Sequence, residues 1–221
     1  QRLPGPLSTV AAEFASLRNG FSNITIGRPD GAGTIRVAGP VVFGDPVTLR
    51  APGAGGRIVV DAQLAGADGA SITLDGFDPT VLGASIATAG GSIGIGGSVV
   101  LDGHVTLDTT GGGAVGGADI VIGGTVEGSG DGTEDLTLRA GSGDISVGGA
   151  VGGANRLGAL TIASGDAVAF QGTVSAVSLE IANSTSTGFA RKVDLTGGAG
   201  AAAGGGDIAF GGGLVAGGDS I

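Results

Sequence analysis

GGSIGIGGSV, residues 90–99, decides the fold. Ile93 and Ile95 stand two apart, a Gly-Gly pair follows, and Val99 resumes the apolar series six residues after Ile93. A spacing of two is the period of a strand, not of a helix. So short a strand cannot bury a face alone and needs copies of itself to stack on. The copies are present: GGRIVVDAQL at 55–64, GADIVIGGTV at 117–126, SGDISVGGAV at 142–151 and GGDIAFGGGL at 205–214. Aligning them places Ile58, Ile93, Ile120, Ile145 and Ile208 in one column, and Val60, Ile95, Ile122, Val147 and Phe210 in the next. Leu64, Val99, Val126, Val151 and Leu214 follow six residues after each Ile.

A second pattern, Val-Thr-Leu or a near variant, alternates with the first: PVTLR at 46–50, SITLD at 71–75, HVTLD at 104–108, DLTLR at 135–139, ALTIA at 159–163 and KVDLT at 192–196. The composite unit is strand, glycine-rich turn, strand, Gly-Gly corner, short strand. Stacked units give an all-β parallel solenoid, with inward Ile, Val and Leu forming ladders from coil to coil. Coils of roughly 20–30 residues put about 8–10 of them in residues 21–221. Glycine is expected at the corners because it takes positive φ freely. The long Gly111–Gly117 and Gly197–Gly206 stretches mark loops leaving one corner. An antiparallel sandwich would want larger core residues and less glycine.

Composition narrows the classes. Of 221 residues 51 are Gly, and there is no Cys, Met, Trp or Tyr. That excludes a disulfide scaffold, a thiol enzyme and a cysteine zinc site. The glycines keep no period of three and Pro numbers 7, which excludes collagen. Apolar residues reach 41%, too many for a charged disordered tail. No apolar run approaches the ~18 residues of a membrane-spanning helix. Net charge is −10, with 10 basic residues scattered and no basic stripe, so nucleic acid is a poor partner.

One segment departs from the strand pattern. Ser8 or Thr9 can cap a helix, Val10, Phe14 and Leu17 share a face, and Asn19-Gly20 stops it. A short amphipathic helix is expected there, making residues 1–20 a lead-in or cap to the solenoid. The chain opens on Gln1 and ends within a strand-like pattern, so it is expected to be a fragment of something longer.

The stretches FASLRNGFSNITIGRPDGAGTIRVAG (14–39), VVFGDPVTLRAPGAGGRIVVDAQL (41–64) and LTLRAGSGDISVGGAVGGANRLGALTIASGDAVAFQGTV (136–174) resemble the repeat region of large bacterial exoproteins, the filamentous-haemagglutinin-like adhesins. The resemblance covers nearly the whole chain. It implies a right-handed parallel β-helix forming a long extracellular stalk. The secretion domain that starts the helix in that family is not among these residues.

Several constellations could carry chemistry. His104 is the single His, with Asp102 and Asp108 nearby; these three and Thr106 are expected to alternate on the outward side of one strand. No Gly-x-Ser-x-Gly elbow accompanies them. Asp119 and Asp144 both precede the Ile of the repeat, so adjacent coils could align two carboxyls, as glycoside hydrolysis requires. The same Asp equally suits a corner residue capping backbone groups. Asp131, Glu134 and Asp135 share one loop and are the candidate calcium ligands, although EF-hand spacing and tandem nonapeptides are missing. Thr48, Thr73, Thr106 and Thr137 recur at spacings too irregular for an ice-binding ladder. Asn23-Ile24-Thr25 and Asn183-Ser184-Thr185 match the N-glycosylation acceptor pattern, which in a bacterial protein arises as a rule by coincidence.

The expected function is therefore structural: a stiff β-helical stalk segment of a secreted, surface-exposed bacterial adhesin, neither an enzyme nor a cofactor carrier. Its expected partners are neighbouring coils, copies of itself end to end, and host or surface glycans or proteins. One alternative is a subunit of a self-assembling extracellular filament or sheath. The other is a polysaccharide-acting or carbohydrate-binding β-helix.

Overall fold

The computed structural model describes residues 19–113 and 116–195 in full, and the backbone of residues 202–203, 207–210 and 214–216. Short strands follow one another around three faces, and each pairs in parallel with the strands one turn away. The chain is an all-β parallel solenoid. On face A the aligned positions are Ile24, Val47, Ile72, Ile93, Ile120, Ile145, Val168 and Thr187. Seven full turns separate the first from the last, each of 19 to 27 residues. The helix expected over residues 8–17 lies outside the described residues, as do the side chains of Ile208, Phe210 and Leu214.

Strand alternation produces the core. In Ile93–Ile95 and Ile145–Val147 the outer two side chains are buried and the middle residue, Gly94 or Ser146, is partly exposed. Ile58, Ile93, Ile120, Ile145, Val60, Ile95, Ile122 and Val147 are at most 1% exposed. Three faces of such strands enclose one continuous apolar interior. Near the C-terminal end of the described chain the aliphatic ladder becomes aromatic. Phe170 and Phe189 occupy aligned positions, their rings stacked at 5.0 Å and 7°, a geometry favourable to aromatic pairs.

The alignment of the repeat needs one correction. Ile93, Ile120 and Ile145 share a ladder on face A, with Ile95, Ile122 and Val147 in the next column. Ile58 and Val60 do not join them. They belong to face B, where Ile58 pairs with Ile35, and Val60 with Val37 and Leu82. The face A positions of that turn are Val47 and Leu49. Val99, Val126, Val151 and Val174 form the face B ladder, while Leu64 stands on face C between Val41 and Ile86. The Val-Thr-Leu pattern likewise falls on all faces: residues 47–49 and 72–74 on A, 105–107 and 136–138 on C, and 193–195 on B.

The reason for glycine at the Gly-Gly corner also differs from expectation. Gly96-Gly97, Gly123-Gly124 and Gly148-Gly149 join faces A and B, and none has positive φ. Successive turns instead touch there backbone to backbone. Gly123 donates to the Ile95 carbonyl and Gly148 to that of Ile122, both at 2.8 Å. A Cβ on Gly123 would stand 2.5 Å from the Gly96 oxygen, and one on Gly148 at 2.5 Å from the Gly123 oxygen. Left-handed backbone is concentrated elsewhere, notably at Gly111, Gly112 and Gly113, with φ of 59°, 74° and 92°. These belong to the loop expected to leave the solenoid, which runs from face C to face A between Val105–Asp108 and Ile120–Ile122.

Candidate functional site

The residue just before each strand lies at a corner, where its side chain can reach the adjacent turn. Asp119 precedes Ile120–Ile122, and its Oδ1 accepts the Asp144 N–H of the next turn at 2.9 Å. Asp144 precedes Ile145–Val147, and its Oδ1 accepts the Ala167 N–H at 3.0 Å. The two aspartates that could have formed a catalytic pair thus lie on adjacent turns, each capping backbone above it. Serines at equivalent places do the same. Ser71 accepts from Ser92, Ser85 from Thr106 and Ser98 from Thr125. Glu127 Oε2 receives two N–H groups, from Ala154 at 2.8 Å and Asn155 at 3.1 Å. Sequence reasoning passed over these serines and Glu127; for the serines the legible signal was a polar residue directly before a strand, whereas Glu127 is the outward middle residue of the strand Val126–Gly128.

His104 belongs to the same system. Its side chain is 72% exposed, and its Nδ1 accepts the Asp135 N–H at 3.2 Å while lying 3.0 Å from Asp135 Oδ2. Its polar partner is therefore Asp135 on the next turn, not Asp102 or Asp108. Asp108 departs from the expected outward placement: it is only 9% exposed. Its Oδ1 accepts the Thr110 N–H and hydroxyl at 2.7 and 2.6 Å, and its Oδ2 accepts the Gly112 N–H at 3.3 Å. The glycine-rich loop folds over this carboxylate, so Asp108 organises the loop rather than facing solvent.

The three candidate calcium ligands take three different partners. Asp131 forms a two-pronged pair with the Arg156 guanidinium at 3.0–3.1 Å and also accepts the Arg156 N–H. The hydrogen bonds from Arg156 hold its carboxyl below the ordinary value, and Arg156 is raised in turn. Burial pushes the Glu134 carboxyl up, but hydrogen bonds from Thr133, Gly130 and Ser129 together outweigh it and leave it lowered. Asp135 Oδ1 accepts the Ala159 N–H at 2.6 Å. Among the described residues no group of three or more His, Asp or Glu converges as a metal would require.

Arg28–Asp30 and Lys192–Asp194 pair within one turn, but other charge pairs follow the axial direction. Arg36–Asp61, Arg50–Asp75 and Arg156–Asp131 each link neighbouring turns. The outward threonines form two short ladders on different faces: Thr25, Thr48 and Thr73 on A, and Thr106, Thr137 and Thr161 on C. No family model matches the chain, and neither a curated protein nor a solved structure matches it. What the arrangement does chemically is tie turn to turn. The carboxylates of Asp108, Asp119, Asp131, Glu134, Asp135 and Asp144 accept hydrogen bonds from the adjacent turn or their own loop.

Proposed function

We propose that this chain is a stretch of the shaft of a secreted bacterial surface protein, a stiff β-solenoid that holds a binding region away from the cell. The observation that carries the reading is the axial use of polar groups. Asp119, Asp144, Asp131, Asp135 and Glu127 each bond to the next turn rather than gathering around a cleft. Such links add to the backbone ladder in resisting separation of the turns. The resemblance to filamentous-haemagglutinin-like repeats points to the same role and to the cell surface.

The test is twofold. Antibodies raised against the folded chain are applied to intact cells of the source organism, and the native polypeptide is weighed under fully denaturing conditions. Surface labelling together with a polypeptide several times larger than 20.6 kDa is the expected result. Labelling confined to permeabilised cells overturns the reading. So does a polypeptide near 20.6 kDa that is high-mass only without denaturant, which is the behaviour of a polymerising subunit.

A further inference from the structure

We propose that Asn183 is a site of N-linked glycan attachment. The pattern alone, a coincidence as a rule in bacterial proteins, does not distinguish the two acceptor triplets; the fold does. Asn23 directly precedes the strand Ile24–Gly27, and its carboxamide is engaged. Its Nδ2 donates to Thr25 Oγ1 at 3.0 Å, and its Oδ1 accepts from Thr48 Oγ1 of the next turn at 3.5 Å. Asn183 sits in the corner between the strands Val174–Ile181 and Ser184–Phe189. It is exposed, and its backbone carbonyl accepts the Gly165 N–H. Its carboxamide and the Thr185 hydroxyl have no hydrogen-bond partner among the described residues. Thr185 is exposed as well, whereas the middle residue Ser184 is buried and bonded to Thr187 at 2.9 Å. The triplet therefore presents its two recognition groups to solvent and anchors the residue between them.

On the side of the preceding turn the corner has room for a sugar. In the preceding turn Ile162 aligns with Ile181 and Gly165 with Ser184, so only Ala163 and Ser164 stand against Ala182 and Asn183. Nothing bulky flanks the amide on that side. The donor is a sugar activated as a phosphate ester, supplied by a separate transferase. Asn183 Nδ2 bonds to the sugar C1, the C1–O bond to phosphate breaks, the phosphate leaves with the electron pair, and one amide proton passes to a base of the transferase. This assignment stands whether or not the chain is a shaft.

The experiment is peptide mapping by mass spectrometry of the full chain isolated from its natural source, beside Asn183→Gln, Thr185→Ala and Thr185→Ser forms made in the same host. The Asn183 peptide is expected to carry one or more sugar residues and the Asn23 peptide none. Asn183→Gln and Thr185→Ala lose the modification with circular dichroism unchanged, and Thr185→Ser keeps it. An unmodified Asn183 peptide in the native chain, sugar on Asn23 instead, or sugar persisting in Thr185→Ala overturns the proposal.

Discussion

Replacing Gly123 by Ala tests the backbone-to-backbone account of the corner. The added Cβ would lie 2.5 Å from the Gly96 oxygen, 3.2 Å from the Gly96 carbonyl carbon and 3.6 Å from the Ile95 oxygen. Ordinary contact begins near 3.4 Å, so one turn must move away by about 0.9 Å. The Gly123 to Ile95 hydrogen bond, now 2.8 Å, does not survive such a displacement. A lost hydrogen bond costs about 0.5–1.5 kcal/mol, and forcing extra volume into a packed site typically costs about 1–3 kcal/mol. Gly94→Ala is the control. Gly94 points outward in the strand Ile93–Ile95, and a Cβ there meets only Thr73 Oγ1 at 3.9 Å. Its φ is not positive, so Ala should stabilise by about 0.4–1 kcal/mol by restricting the unfolded chain. That gain is common to both variants, so they should differ by the crowding cost alone, about 1–3 kcal/mol. The assay is urea unfolding followed by circular dichroism, since the chain has no Trp or Tyr to report by fluorescence. Equal midpoints, or Gly123→Ala unfolding later than Gly94→Ala, would refute the argument that crowding rather than φ selects glycine there.

Four further outcomes are expected. Ile120→Ala, at a fully buried ladder position, should cost about 2–5 kcal/mol. Val121→Ser, at 46% exposure on the same strand, should stay within about 0.5 kcal/mol; the same denaturation midpoints check both. Asp119→Ala removes the acceptor for the Asp144 N–H and should cost about 0.5–1.5 kcal/mol, with Asp119→Asn retaining most of it; amide hydrogen exchange at Asp144 reads the difference directly. The Asp131 and Glu134 carboxyls lie below their ordinary values of 3.8 and 4.5 when folded, so the unfolded chain binds more protons. The stability they add is complete above those ordinary values and is lost as pH falls through the lower folded-state ones. Urea midpoints measured from pH 6 downward should decline below about 4.5, and more shallowly in the Asp131→Asn, Glu134→Gln double variant.

The solenoid itself was legible because its signal is local: Ile93 and Ile95 with a Gly-Gly corner specify a short strand, and repetition supplies the stacking. The assignment of strands to faces was not. Each face asks for the same pair of inward apolar residues two apart, so Ile58-Val59-Val60 reads like Ile93-Gly94-Ile95 although one lies on face B and the other on face A. Only counting turns from a fixed point resolves it, and turn length varies. Asp108 was misjudged because strand parity places it outward, while the loop that begins two residues on folds over it. At Asp119 and Asp144 the capping role was one of two readings, and the hydrogen bonds to Asp144 and Ala167 favour it. The partners of Asp131, Asp135 and His104 lie 24 to 31 residues away in sequence, a distance at which no motif connects them.

The unequal turn lengths bear on how a gene for such a protein can change. Aligned positions on face A are 27 residues apart across the glycine loop and 19 apart between Val168 and Thr187, yet the strands stay paired on both sides. Lengthening a loop costs little, about 0.6 kcal/mol for each doubling, whereas one residue gained within a strand turns every following side chain to the opposite side. Insertions and deletions should therefore survive selection at the corners, above all between Asp108 and Asp119, and be purged from the strands. Length variation among natural alleles would map the three edges of the prism without any structure being solved.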